Sequence, residues 1–235
     1  PWCPNSGACR LQTSLSLIME THMRINQPAA GRLCSLTVSA IAIIAGWTVP
    51  LQAQMMYDDG EKVSEVKYVT HPEGRVHNLI RNPAPDSVNP SSRCAKFSRN
   101  RQRYDYVKIV PGSRLDNVDH YASYEDQAPR MRMKVYTTAP AGSVIELQLG
   151  RRDANAYPQG THSQYQAVTT TPGKWEELEF RFVVSPKGSE TAARQVDQVT
   201  LLFMPNTTAT HEFYFDDLRG PDLKDERSAK AHKRK

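Results

Sequence analysis

The 235-residue chain reads as all-β: an antiparallel β-sandwich or jelly roll of about nine or ten strands in a single domain. Three observations predict this. Short apolar runs with period-two alternation recur between residues 57 and 222. Turn pairs such as Asn82-Pro83, Pro111-Gly112, Pro172-Gly173 and Pro205-Asn206 separate them at short, fairly regular spacing. No stretch of that span carries the 3.6-residue apolar period of an amphipathic helix.

The elements follow in order. Residues 63–69 alternate loosely, and 75–80 form another short run. Residues 82–92, with three prolines, are a loop because proline can neither donate to a ladder nor leave its fixed φ. Residues 93–99 and 104–110 read as strands. Residues 116–127 are polar and aromatic, part strand and part loop. The cleanest alternation is 130–137, with Met131, Met133 and Val135 on one face and Arg130, Arg132, Lys134 and Tyr136 on the other. Strands at 144–149 and 163–169 flank a long polar loop. In 174–184, Leu178, Phe180 and Phe182 alternate with Glu177, Glu179 and Arg181; Trp175 is read as a packing residue. After 199–204, the chain closes on 211–221, HEFYFDDLRGP. There Phe213 and Phe215 face one way, Tyr214 and Asp216 the other.

Four segments organise the chain. Residues 1–22 read as an upstream extension before a start at Met23. Residues 23–53 read as a secretory signal peptide: Arg24 and Arg32, an apolar run over 33–51, then Ala53 at the cleavage point. A single anchoring span is the alternative, diluted by Ser, Thr, Gly and Pro. No Cys stands at the cleavage point, so no lipoprotein anchor is expected. Residues 57–222 are the β-sandwich domain, and 223–235 a basic, solvated tail. The expected location is secreted or periplasmic, with no membrane span after cleavage. Of four cysteines, only Cys94 follows the signal, which leaves no intrachain disulfide and a thiol read as a small core side chain. The net charge of +5 belongs to the ends: residues 54–222 hold 21 basic and 22 acidic residues. The domain therefore has no electrostatic footprint for nucleic acid.

Chemistry-bearing patterns are few. There is no G-x-S-x-G, P-loop or Cys/His pair, and the seven histidines lack metal-ligand spacing. Glu176, Glu177 and Glu179 do not reproduce the strand-borne E-x-D-x-x-E of jelly-roll glycosidases. Asp216-Asp217 on the last strand and Asp58-Asp59-Gly60-Glu61 near the first could share a hard, oxygen-liganded cation, since first and last strands of a jelly roll are often neighbours. Aromatic and polar residues interleave in two places. These supply the candidate ligand-binding residues: Tyr121 and Tyr124, then Arg151, Asp153, Asn155, Tyr157, His162 and Tyr165. Flat rings stack on sugar faces while Arg, Asn and Asp bind hydroxyls.

With these pieces placed, the chain resembles the galactose-binding-like β-sandwich, in particular the Ca²⁺-containing carbohydrate-binding modules of the family 4, 9 and 22 type from secreted bacterial proteins. The resemblance rests on Asp59-Gly60-Glu61, residues 81–99, RMRMKVYT at 130–137, KWEELEFRF at 174–182, VTLLFMP at 199–205 and FYFDDLRGP at 213–221. It implies a non-catalytic domain that binds a polysaccharide or glycan, and a structural Ca²⁺ held by Asp216 and Glu61 with Asp59 beside them. Gly60 stands where the family has an aromatic. Such modules accompany a catalytic or surface protein, which is the expected macromolecular partner. Two other readings compete: an extracytoplasmic jelly-roll glycoside hydrolase or polysaccharide lyase, and a structural or adhesion domain without a small ligand.

Overall fold

The computed structural model describes residues 54–62, 66–70, 75–153 and 157–224. They all belong to the second of two compact units, Pro50–Lys235. The signal segment, residues 225–235 of the tail and Asn155 lie outside the described residues. No helix among the described residues is long and apolar enough to cross a membrane.

The all-β expectation holds. The strands are β1 (Met55–Asp58), β2 (Val66–Thr70), β3 (Val76–Arg81), β4 (Arg93–Ser98), β5 (Tyr106–Pro111), β6 (Met131–Thr137), β7 (Val144–Gly150), β8 (Thr161–Val168), β9 (Trp175–Val184), β10 (Gln198–Phe203) and β11 (Glu212–Gly220). Every pairing among them is antiparallel. One sheet runs β3-β4-β11-β6-β9, with β1 also on β11; the other runs β9-β8-β7-β10-β5-β2. Strand β9 joins both. Its first half, through Phe180, pairs with β6, and its second half pairs with β8.

Eleven strands exceed the expected nine or ten because β1 is only four residues long, too short for alternation to register. It persists because the last strand supplies its ladder, Met55 opposite Gly220 and Met56 opposite Arg219. Tyr57 anchors it, fully buried, its hydroxyl donating to the Pro221 carbonyl at 2.5 Å. Residues 116–127 hold no strand. A four-residue helix, α1 (Val118–Tyr121), sits there instead, with Val118 and Tyr121 buried.

The core is the space between the sheets. Ala95, Phe97, Met131, Met133, Val135, Leu178, Phe180, Phe213 and Phe215 line one side. Val107, Ile109, Ile145, Leu147, Leu149, Tyr165, Val199, Leu201 and Phe203 line the other. Phe203 bridges the two, with ring centroids 4.7 Å from Phe213, 5.4 Å from Phe97 and 5.8 Å from Phe215. Each such ring removes a large apolar area from water and adds edge and stacking terms.

Trp175 is buried, as expected of a packing residue, but outside this core. By register it shares the outer face with Tyr136, and the 82–92 loop folds over it. Asn82 holds that loop. Its Nδ2 donates to the carbonyls of Asn89 and Ser91, at 3.2 and 2.9 Å. Its Oδ1 accepts from the Ala84 amide and from Trp175 Nε1, each at 3.0 Å. Asn82→Ala takes the partner from the indole N–H and from the Ser91 carbonyl, and one of two donors from the Asn89 carbonyl, which keeps the Asp86 amide at 3.2 Å, so it should cost about 2–3 kcal/mol. Chemical denaturation is the check; a loss below about 0.5 kcal/mol, the range of ordinary surface changes, would contradict this role.

Candidate functional site

The outer face of the second sheet carries two rows of side chains. Lys108, Thr200, Gln148 and Gln164 lie abreast across β5, β10, β7 and β8. Tyr106, Leu202, Glu146 and Gln166 form the next row, which continues to Arg181 on β9. Alternation dictates these rows: Val107, Ile109, Leu147, Leu201 and Tyr165 point inward, so their neighbours must point out. All of these outward residues except Gln166 and Arg181, together with Tyr104, Arg151, Tyr157, Gly160, Thr161, Gln198 and Pro205, line a groove of about 650 Å³.

Loops at both ends shape the rim. At one end the buried Arg99 guanidinium donates to the carbonyls of Gln102 (2.8 Å), Thr207 (2.8 Å) and Ala209. That ties the Tyr104 turn to the Pro205 turn. At the other end Arg151 and Gly160 come together, the Arg151 amide donating to the Gly160 carbonyl at 3.0 Å. A Cβ at residue 150 would stand 2.3 Å from the Gly160 carbonyl, so glycine is required for this approach. Arg152 anchors the loop to Asp197 through its backbone N–H and its Nε, both at 2.8 Å. Tyr104 and Tyr157 are left largely exposed at the rim.

The residues singled out from sequence scatter. Arg151 and Tyr157 line the groove. Asp153 is exposed and pairs with Arg151 at 3.2 Å. Tyr124 stands on the outside, its ring 4.7 Å from Phe182 and its hydroxyl donating to the Val183 carbonyl at 2.7 Å. Tyr121 and Tyr165 belong to the core. The Tyr165 hydroxyl lies 2.9 Å from the buried Ser163 Oγ, and burial pushes its pKa well above the usual phenol value. His162 is the extra residue of a β-bulge: Leu149 pairs with Ser163 and Gly150 with Thr161. The bulge brings Thr161 into the groove and turns His162 to Asp119, with Nε2 3.3 Å from Oδ1. Burial lowers the His162 pKa, partly offset by Asp119. His162 Nδ1 is 3.0 Å from Ser163 Oγ, but Ser163 is fully buried and cannot meet an external substrate.

Sequence reasoning missed Tyr104, Tyr106, Lys108, Glu146, Gln148, Gln164, Gln198 and Thr200. A signal existed: polar or aromatic residues at alternate positions of four apolar strands mark a wet face. Nothing in one strand says that the four wet faces adjoin.

The acidic ends of the domain meet elsewhere. Asp58 and Asp216 line one small void together with Gly60, Tyr68, Ala95, Phe215 and Leu218. Both carboxylates are 4% exposed. Asp58 accepts from the Tyr68 hydroxyl at 2.7 Å and the Gly60 amide at 2.9 Å. Asp216 accepts from Asn89 Nδ2 at 3.0 Å and the Asp217 amide at 2.9 Å. A β-bulge at Asp217, whose φ is +51°, sends that side chain to Lys134 at 2.7 Å instead. Neither Asp58 nor Asp216 has an ion pair with Lys or Arg among the described residues. Burial pushes both carboxyls up, Asp216 to about 6. Gly60 forms a cradle: a Cβ there would meet Asp216 Oδ1 at 2.7 Å and the Arg93 carbonyl at 3.1 Å.

Two buried carboxylates and a carbonyl, all oxygen, fit a hard cation such as Ca²⁺. Among the described residues no three His, Cys, Asp or Glu side chains gather as a cluster, so backbone oxygens would have to complete the shell. Asp59 and Glu61 do not line this void. Asp59 Oδ1 accepts from the Glu61 and Lys62 amides at 2.9 and 2.6 Å. Glu61 accepts from the Ser92 and Arg93 amides.

No family model matches the sequence, and no curated protein matches it. Solved structures do match. A family 11 carbohydrate-binding module of the cellulosomal cellulase Lic26A-Cel5E of Clostridium thermocellum is 13% identical, covering 74% of this chain and 97% of its own, with a TM-score of 0.41. A family 30 module of the cellulosomal cellulase Cel9D-Cel44B of the same organism is 7% identical, covering 66% and 90%, at 0.40. An exo-β-agarase is 9% identical over 75% of this chain but only 26% of its own, at 0.45. The modules named in these matches belong to families 11 and 30. At these TM-scores the groove must be read from its own residues.

The void makes a pH prediction. Asp216 sits at about 6 in the fold against an ordinary 3.8, so the folded state takes up its proton more readily than the unfolded chain. Its contribution favours folding below about pH 4 and is lost as pH rises through about 6. In chelator, the wild type should lose stability relative to Asp216→Asn over that window, by at most about 3 kcal/mol. Parallel melting curves for the two proteins from acid to neutral pH would rule this out.

Proposed function

We propose that the domain binds a polysaccharide or glycan chain in the groove without cleaving it. One observation carries the reading: a groove of about 650 Å³ joins three tyrosines, Tyr104, Tyr106 and Tyr157, to a floor of amide, hydroxyl and charged side chains. Exposed rings offer flat apolar faces to a sugar, and the floor offers hydrogen-bond partners to its hydroxyls. The volume falls within the roughly 300–1,000 Å³ of ligand pockets generally. Hydrolysis of a glycosidic bond by the common route needs two carboxylates flanking it. Glu146 is the one carboxylate among the described residues lining the groove, and amides occupy both of its oxygens. The tyrosine-rimmed concavity also favours this reading over an adhesion domain with a flat apolar face.

In this reading Ca²⁺ is structural. Asp58 and Asp216 would hold it with the Arg93 carbonyl, joining the first and last strands far from any chemistry. The apolar segment over 33–51 supports an extracytoplasmic location, where free Ca²⁺ and polysaccharide are both available. A separate catalytic or surface protein is the partner this function would serve.

Pull-down on insoluble polysaccharides, with reducing-sugar release followed in parallel, tests the reading. Binding without release is expected. Tyr106→Ala should weaken it about tenfold or more, while Tyr124→Ala, outside the groove, should leave it unchanged. Release of sugar would make the protein an enzyme, and absence of binding to every polysaccharide would remove the glycan reading. Chelation should lower the melting temperature by several degrees, and Asp216→Ala should abolish that sensitivity. A melting temperature indifferent to chelator removes the metal.

A further inference from the structure

The polarity of the groove floor can be read from one side chain. Gln148 Nε2 lies 2.7 Å from Glu146 Oε1, Gln164 Nε2 3.0 Å from the same oxygen, and Gln166 Nε2 2.9 Å from Oε2. Three amides from two adjacent strands thus converge on one carboxylate. An ionised carboxylate can only accept, so each glutamine must turn its NH₂ toward Glu146. An amide is planar, and its oxygen lies at the opposite end. The carbonyl oxygens of Gln148 and Gln164, both groove-lining, therefore point away from Glu146. The partner nearest the Gln148 oxygen is the Thr161 hydroxyl, at a marginal 3.5 Å.

We propose that Glu146 is a positioning residue that fixes the floor as an acceptor surface, so that the groove selects a ligand arriving with donors. The ligand class is a neutral glycan whose hydroxyls donate to the Gln148 and Gln164 carbonyls. The charges of the site agree. Of the two cations that line the groove, Arg151 is paired at 3.2 Å with Asp153 outside it, which leaves Lys108 set against Glu146 and little net charge to draw an acidic chain. Without the carboxylate, the glutamines lose the reason for their orientation. A glutamine at 146 presents an NH₂ of its own, and the neighbouring amides can then adopt either sense. The floor becomes a mixture of donors and acceptors, with Tyr106 and Leu202 unmoved beside it. The ligand half of this inference rests on the glycan reading of the groove; the orientation half does not.

The test therefore has two arms on the same proteins, the wild type and Glu146→Gln. In the first, side-chain amide resonances of Gln148, Gln164 and Gln166 are assigned by NMR in the ligand-free state, with backbone spectra as the control for folding. The wild-type NH₂ protons should be shifted downfield and slow to exchange, and both properties should vanish together in the variant. Ordinary, freely exchanging amides in the wild type, or spectra that the substitution leaves alone, overturn the positioning role. In the second arm, affinity is measured for cellohexaose, xylohexaose and polygalacturonate. The wild type should prefer a neutral oligosaccharide, and the variant should bind it about tenfold or more weakly. Equal affinity of the two proteins overturns the proposal. Preference for polygalacturonate overturns the ligand class. If the wild type binds none of the probes, the glycan reading fails, and the first arm alone decides whether Glu146 orders the floor.

Discussion

Phe203 fixes the distance between the two sheets. It stacks on Phe213 and touches Phe97 and Phe215, so strands from opposite layers meet on one ring. Because side chains alternate along a strand, pinning Phe203, Leu201 and Val199 inward obliges Leu202, Thr200 and Gln198 to face out. The same holds for Val107 and Ile109 against Tyr106 and Lys108, and for Ile145, Leu147 and Leu149 against Glu146 and Gln148. The groove is thus the reverse side of the core. A one-residue slip of β7 or β10 would put its floor between the sheets.

Departures from strict alternation coincide with the places where polar groups are put to use. The bulge at His162 lets Thr161 join the groove while Ser163 stays buried. The bulge at Asp217 separates two adjacent acids, one to the void beside Asp58 and one to Lys134. A third, between His77 and Ile80, holds Leu79 at φ +55° in an outermost strand. An extra residue costs ladder hydrogen bonds and re-aims side chains.

Two polar environments on this scaffold behave in opposite ways. Around Glu146 a half-buried carboxylate meets three donors, and the network sets the direction of every amide in it. Around Asp216 and Asp58 burial outweighs the hydrogen bonds that each carboxylate accepts, and both carboxyls are driven toward their neutral forms. The first arrangement is complete in the polypeptide itself. The second is the chemistry of a site that gains from a positive charge, and Gly60, with no Cβ, leaves the space beside it.

The sequence by itself determined the fold class, the inward sets of 130–137 and 174–184, the 82–92 loop and the strand that closes the domain. Each is a local consequence of alternation or of proline, readable within about ten residues. It also pointed to an acidic meeting of the first and last strands, and Asp216 does meet an acid there. That acid is Asp58 rather than Asp59 or Glu61, because the turn at Gly60 directs those two onto backbone amides. Only the tertiary structure decided which tyrosines are exposed. Tyr121, Tyr157 and Tyr165 look alike in sequence, yet one is in the core at the end of α1, one on the rim and one between the sheets. The groove itself was hidden for the same reason: it is assembled from β5, β7, β8 and β10, and strand order across a sheet is set by long-range pairing that no single strand encodes.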